Sequence, residues 1–166
     1  MTNATLDRVL DVLPATDRRV IRNSPAAVNA AIADGTSETV RRAARQPSRI
    51  DGRLADLERE WDMERTIEAN AALVGLAGIG LAAALGDRRL LWVPAAVSGF
   101  LLLHALQGWC PPVPLFRRLG VRTAAEIHAE RTALKALRGD FSGLALRGKR
   151  KGAETKAEDA IRAAWR

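Results

Sequence analysis

The amino-acid sequence predicts an all-α protein: a two-helix transmembrane hairpin flanked by soluble amphipathic helices. Three observations carry this. Charge and hydrophobicity are segregated, and between Ala69 and Gly108 the only formal charges are Asp87, Arg88 and Arg89, side by side. The apolar residues before and after that triplet run all round a helix rather than along one stripe. The rest of the chain shows helical spacing punctuated by caps, glycines and prolines.

The averages conceal this pattern. The 166 residues are 48% hydrophobic and 27% charged, which resembles an ordinary soluble domain. The net charge of +7 lies entirely in residues 110–166, because residues 1–65 and 66–109 are each balanced. A basic segment after an apolar hairpin suits anionic lipid headgroups, at roughly 1 kcal/mol per Lys or Arg near the surface. Nucleic acid is not an expected partner, since no zinc-finger, RRM or KH signature is present. The single cysteine, Cys110, excludes a scaffold stapled by intrachain disulfides. Met1-Thr2-Asn3-Ala4 has neither the basic nor the apolar region of a signal peptide, so targeting is expected to come from the internal apolar segments.

Residues 1–47 predict short cytoplasmic helices. Leu6, Val9, Leu10 and Leu13 have helical spacing, stopped by Pro14. Ser24-Pro25 reads as a cap with proline at the first helical position, opening a helix with Val28 and Ile32 on one face. Gly35 is expected to close it. Thr36 is expected to cap a further turn running to Arg45, before Pro47.

Residues 48–68 predict an amphipathic helix that leads into the membrane. Ser48 with Asp51 resembles a capping box. Ile50, Leu54, Leu57 and Trp61 form a narrow stripe, and no Gly or Pro interrupts the stretch from Arg53 to Val74, so one continuous helix is expected. Trp61 and Arg65 would lie at the membrane interface, where such residues anchor helices.

Residues 69–108 predict the hairpin, with spans 69–85 and 90–106 around the turn Gly86-Asp87-Arg88-Arg89. Each span is about 17 residues, about 25 Å of helix, at the short end for a bilayer. Small residues at Ala72, Gly80 and Ala84, and at Gly78 and Ala82, permit close helix approach and self-association into a homo-oligomer. Arg49, Arg53, Arg59 and Arg65 precede the spans and Arg117, Arg118 and Arg122 follow them, against Arg88 and Arg89 in the turn. The positive-inside rule then predicts both termini in the cytoplasm.

Residues 109–141 predict a Pro-rich exit and a cytoplasmic helix. Thr123 with Glu126 reads as a cap, Ile127, Leu134 and Leu137 share one side, and the helix is expected to end near Gly139. Residues 142–166 predict a basic tail, Arg147-Gly148-Lys149-Arg150-Lys151, then a short amphipathic helix with Ala157, Ala160, Ile161, Ala164 and Trp165 on one face.

Two groups of residues could carry chemistry. Folding the hairpin about Asp87 and Arg88 brings Glu68 and Asn70 level with His104 and Gln107 at the cytoplasmic end. Such polar groups satisfy one another and pin the register, handle protons or ions, or simply face headgroups and water at the interface. Cys110 reads first as a small, inert residue; were it exposed near Arg65, Arg117 and Arg118, it would be a candidate thiol site with Arg65, because nearby cations lower a thiol pKa, although a helix C-terminus opposes a thiolate. His128 lies on a polar helix and is expected to be solvated, and no residue set has metal-ligand spacing, so no metal or cofactor is expected.

The sequence of an apolar helix, a short polar turn, a second apolar helix with a Leu-rich end, then Gly108-Trp109-Cys110-Pro111 and Leu119-Gly120, resembles the YgaP-like transmembrane domain of bacterial inner membranes. The resemblance covers about residues 64–121. It implies a two-helix hairpin in the bacterial inner membrane and dimerisation through it. It does not carry over the sulfurtransferase activity of the rhodanese domain found in that family, because this chain has no second cysteine and no βαβ pattern. The expected function is therefore non-enzymatic, a membrane-anchored scaffold or assembly module. The alternatives are a thiol- or sulfur-handling membrane protein using Cys110, and a soluble helical interaction module whose apolar segment never meets lipid.

Overall fold

A computed structural model describes residues 14–142. The expected helix around Leu6–Leu13 and the basic tail, including Ala157–Trp165, lie outside the described residues. The described residues, 14–142, are mainly helical, without strands. They divide into two compact units. The first holds the described residues up to Ala33 together with Trp61–Glu126, and the second holds Asp34–Glu60 and the described residues from Ile127 onward.

The first unit begins with α1 (Arg19–Arg22), one turn of helix, followed by the start of α2 (Ala26–Arg45). The chain turns between them at Ser24-Pro25. Ser24 does not cap α2 as expected: its hydroxyl donates back to the Val20 carbonyl at 2.8 Å, and the Pro25 carbonyl accepts the first helical bonds from Val28 and Asn29. Two apolar helices follow. These are α4 (Met63–Leu85) and α5 (Trp92–Gln107), joined through a 3-10 turn at Arg88–Leu91; the helix that precedes them in the chain, α3 (Ile50–Arg59), belongs to the second unit. Gly86, with φ of 66°, ends α4 in the left-handed conformation that glycine adopts without a Cβ penalty. Asp87 then accepts from the Arg89 N–H at 2.9 Å and shapes the turn.

α4 and α5 meet through small residues. Gly78 is buried against Val93 and Pro94, and Ala82 is also buried. The expected small-residue face therefore splits in two. Gly78 is spent on the contact with α5 and Ala82 is buried with it, whereas Ala72, Gly80 and Ala84 are exposed. Pro94 sits in the first turn of α5, where a missing N–H is tolerated. The outer faces of both helices are apolar: Leu73, Leu76, Leu81, Leu85, Trp92 and Leu102 are all more than half exposed.

Where α4 begins, the structure corrects the sequence reading. A single helix was expected from Arg53 through Val74. Instead the chain breaks at Glu60–Asp62, with Glu60 extended. Asp62 caps α4 by accepting from the Arg65 N–H at 2.8 Å, and the Met63 N–H donates to the Arg122 carbonyl at 2.8 Å. Two good partners replace the helical bonds that continuity would have supplied.

After α5, α6 (Val113–Arg118) forms a short helix behind Pro111-Pro112, and α7 (Ala124–Arg138) starts at Thr123. The core of this unit is Val20, Met63, Ile67, Cys110 and Val113, flanked by Leu101, Phe116 and Val121. Arg117 is fully buried beside it. Its guanidinium bonds both oxygens of Glu126 (2.6 and 2.8 Å), Asn29 Oδ1 (2.7 Å) and the Val121 carbonyl (3.2 Å).

The second unit contains most of α2, a 3-10 turn at Pro47–Arg49, α3 (Ile50–Arg59) and most of α7. α2 runs through Gly35 to Arg45, so the stop expected at Gly35 and the cap expected at Thr36 are not there. An interior glycine costs only about 1 kcal/mol, which the half-buried apolar side chains along α2 outweigh. The Ser48–Asp51 box does not form either. Asp51 Oδ1 instead accepts from Arg138 at 2.6 Å. Ala43, Ile50, Leu54, Leu57, Ile127 and Leu134 make the core. Glu130 is buried and held bidentately by Arg53 at 2.6 and 3.0 Å. Gly139, with φ of 91°, ends α7 where expected.

Candidate functional site

The most distinctive geometry lies in the first unit, around the end of α5 and the start of α4. Gly108 ends α5 with φ of 74°. The turn brings its α-carbon directly onto the backbone of Arg19, so that a Cβ there would stand 2.4 Å from the Arg19 carbonyl carbon. The first residue of the Gly108-Trp109-Cys110-Pro111 motif thus has two independent reasons to be glycine. Arg19 uses this proximity: its Nη1 donates to the Ala105 carbonyl at 2.8 Å and its Nη2 to Glu64 Oε1 at 3.2 Å. Asn23 adds a bond to the Gln107 carbonyl at 2.7 Å. Cationic and amide donors therefore satisfy carbonyls in the last turn of α5, where the helix leaves them free.

The four expected polar residues separate here. His104 is buried, and neither ring nitrogen has a hydrogen-bond partner among the described residues. Glu68 is exposed, Asn70 is half-buried, and the Gln107 side chain is exposed. No hydrogen bond joins the four. The groups around His104 include Glu64 and Arg19, both absent from the sequence reading, as well as Glu68. Glu64 lies on α4 one turn before Glu68, a spacing the sequence displays. Arg19 is 86 residues from Ala105, and nothing local announces that contact.

Cys110 is 6% exposed and packs in the core rather than facing water. Burial pushes its thiol pKa up, favouring the neutral form. Arg65 is engaged elsewhere, with its guanidinium carbon 4.3 Å from the centre of the Trp61 ring, a cation–π contact. Arg117, expected near Cys110, is buried and paired with Glu126. Trp109 stacks edge-on to Phe100, with centroids 6.2 Å apart at 61°. His128 is exposed, as expected.

Cys110 also floors a groove between α4 and α5 of about 190 Å³. Val74, Val97, Phe100, Leu101, Pro111 and Pro112 also line it, and Asn70 is its only amide side chain. Among the described residues no group of three metal-ligating side chains comes together.

Comparison with known proteins finds no matching family model, no similar curated protein and no similar solved structure.

Proposed function

We propose that this chain is an integral membrane protein that crosses the bilayer twice, as a helical hairpin of α4 and α5, and serves as a membrane-anchored scaffold or assembly module. One observation carries the reading. Both helices are long and apolar enough to span a membrane, yet only 11% and 6% of their most apolar stretches are buried. A core helix of a soluble protein hides its apolar side chains. In water these two would expose an apolar surface far larger than soluble monomers tolerate. Hydrocarbon removes that cost, and the helical hydrogen bonding of both segments suits a medium without water.

The resemblance to the YgaP-like transmembrane domain supports the same reading, with an inner-membrane location. The basic residues on both flanks support cytoplasmic termini and an external turn at Gly86–Arg89. The exposed small residues Ala72, Gly80 and Ala84 offer a face for self-association. The test is extraction from isolated membranes, with alkaline carbonate set against detergent. Release by detergent alone is the expected result. Release by carbonate, or recovery in the soluble fraction, removes the bilayer reading and leaves a helical module whose apolar faces are covered by protein.

A further inference from the structure

We infer that the groove between α4 and α5 is a binding site for a single lipid acyl chain, with the chain lying against Cys110, Val97 and Phe100. The inference rests on the membrane reading above. The groove is not a sealed void. Val74 and Phe100 in its walls are 39% and 41% exposed, so its surface continues into the outer apolar faces of the two helices. Whatever bathes those faces reaches the groove without crossing a polar barrier.

The lining selects the occupant. Apart from the Asn70 amide and the neutral Cys110 thiol, the side chains are hydrocarbon. Two of the lining residues, Pro111 and Pro112, also lack a backbone N–H donor. A peptide strand, a phosphate or a carboxylate would find almost no donors there, whereas an alkyl chain needs none. The volume fits a stretch of chain. An apolar cavity of roughly 150 Å³ accepts benzene, and about 190 Å³ takes a somewhat larger apolar group while the remainder of the chain runs out along α4 and α5. Trp109 reports on this place through its ring contact with Phe100. Trp92, 77% exposed on the first turn of α5, reports on ordinary contact with the surrounding medium.

The experiment uses the full chain in detergent micelles with one tryptophan retained. In the Trp109 protein, Trp61, Trp92 and Trp165 are changed to Phe. In the Trp92 protein, Trp61, Trp109 and Trp165 are changed. Each is titrated with 9,10-dibromostearic acid, whose bromines quench indole emission at contact. The expected result is at least twofold quenching of Trp109 that saturates near one fatty acid per chain, while Trp92 emission falls steadily with micelle loading. Ala71→Phe and Val97→Phe fill the groove and are expected to abolish the saturating phase, with folding checked by circular dichroism. Trp109 quenching that never saturates and follows Trp92 overturns the inference, and that comparison decides the matter even if both filled variants misfold. Protection of Trp109 together with disulfide-linked dimers of Ala71→Cys assigns the groove to a second copy instead. Carbonate extraction is scored separately. Saturable quenching in a carbonate-released protein keeps the groove and removes the bilayer, and the reverse pattern keeps the bilayer and removes the groove.

Discussion

Gly108 rests on the backbone of Arg19, so close that a methyl group at position 108 would stand 2.4 Å from the Arg19 carbonyl carbon and 2.6 Å from its oxygen. Neither obstacle is a flexible side chain. Gly108→Ala therefore meets a left-handed backbone penalty of roughly 1–2 kcal/mol and a steric one that only displacement of α1 relieves. The expected outcome is loss of the Arg19–Ala105 and Asn23–Gln107 bonds and a clear drop in thermal midpoint in detergent. Trypsin cleavage at Arg19 and Arg22 should accelerate in parallel.

Gly78 and Gly80 lie two residues apart on α4 and should respond oppositely. A Cβ at Gly78 would meet Pro94 at 2.9 Å and Val93 at 3.1 Å, whereas a Cβ at Gly80 meets nothing within 4 Å. Gly78→Ala is expected to cost about 1–3 kcal/mol by overpacking. Gly80→Ala is expected to be neutral or to stabilise by up to about 1 kcal/mol. Thermal unfolding separates the two. If the exposed small face is where copies meet, Gly80→Leu keeps the fold and lowers crosslinking between copies.

Glu126 compensates the charge of fully buried Arg117. Burial raises the Glu126 carboxyl pKa, but the hydrogen bonds from Arg117 and Thr123 outweigh it and hold the group below its usual value of 4.5. The sign follows from linkage. A depressed carboxylate contributes stability in full above its unfolded pKa, and that contribution is lost as pH falls through the lower folded value. Acid denaturation of the wild type should include this component below about pH 4.5, and Glu126→Gln should lack it. At neutral pH the same change leaves a buried guanidinium without its anion and is expected to cost about 3–5 kcal/mol.

Two arginines on α3 provide a second contrast. Arg53 grips Glu130, whose side chain is 1% exposed, while Arg59 meets Asp56 with both partners mostly in water. Arg53→Met should destabilise by on the order of 3 kcal/mol, and Arg59→Met by less than about 1 kcal/mol. Hydrogen exchange of α3 and α7 amides is the appropriate readout.

Cys110 should react slowly with N-ethylmaleimide at neutral pH, because its thiol is buried and held neutral. Unfolding should restore the rate of a free cysteine. Arg65→Gln should leave the rate unchanged, since Arg65 stacks on Trp61. Fast labelling that depends on Arg65 would restore the thiol-handling alternative.

What could be read from the sequence was local. Thr123 and Glu126 stand three residues apart, and in the structure the Thr123 N–H donates to Glu126 at 2.8 Å while the Glu126 N–H donates to the Thr123 hydroxyl at 3.3 Å, the reciprocal box the spacing implies. Gly86 and Gly139 mark helix ends for an equally local reason. Gly35 misled because its cost is small beside the burial of neighbouring side chains. The break at Asp62 was masked by apolar spacing that continued across it, although Asp62 followed by Glu64 is an acidic helix start in plain view. The Arg19–Glu64–His104 grouping was not legible, because Arg19 lies 45 residues from Glu64 and 86 from Ala105, the neighbour of His104 whose carbonyl it bonds, and no periodicity links them.

The Arg19 contacts also impose an order of events on biosynthesis. Ala105 leaves the ribosome 86 residues after Arg19, roughly 4–17 s later at 5–20 residues per second. Until then α1 has only what α4 offers, Glu64 and the core side chains Met63 and Ile67 against Val20, and Gly108, on which its backbone comes to rest, has not been made. The nascent amino-terminal segment therefore cannot complete its docking until both apolar helices have been synthesised. Its docking is a late event that registers completion of the second one.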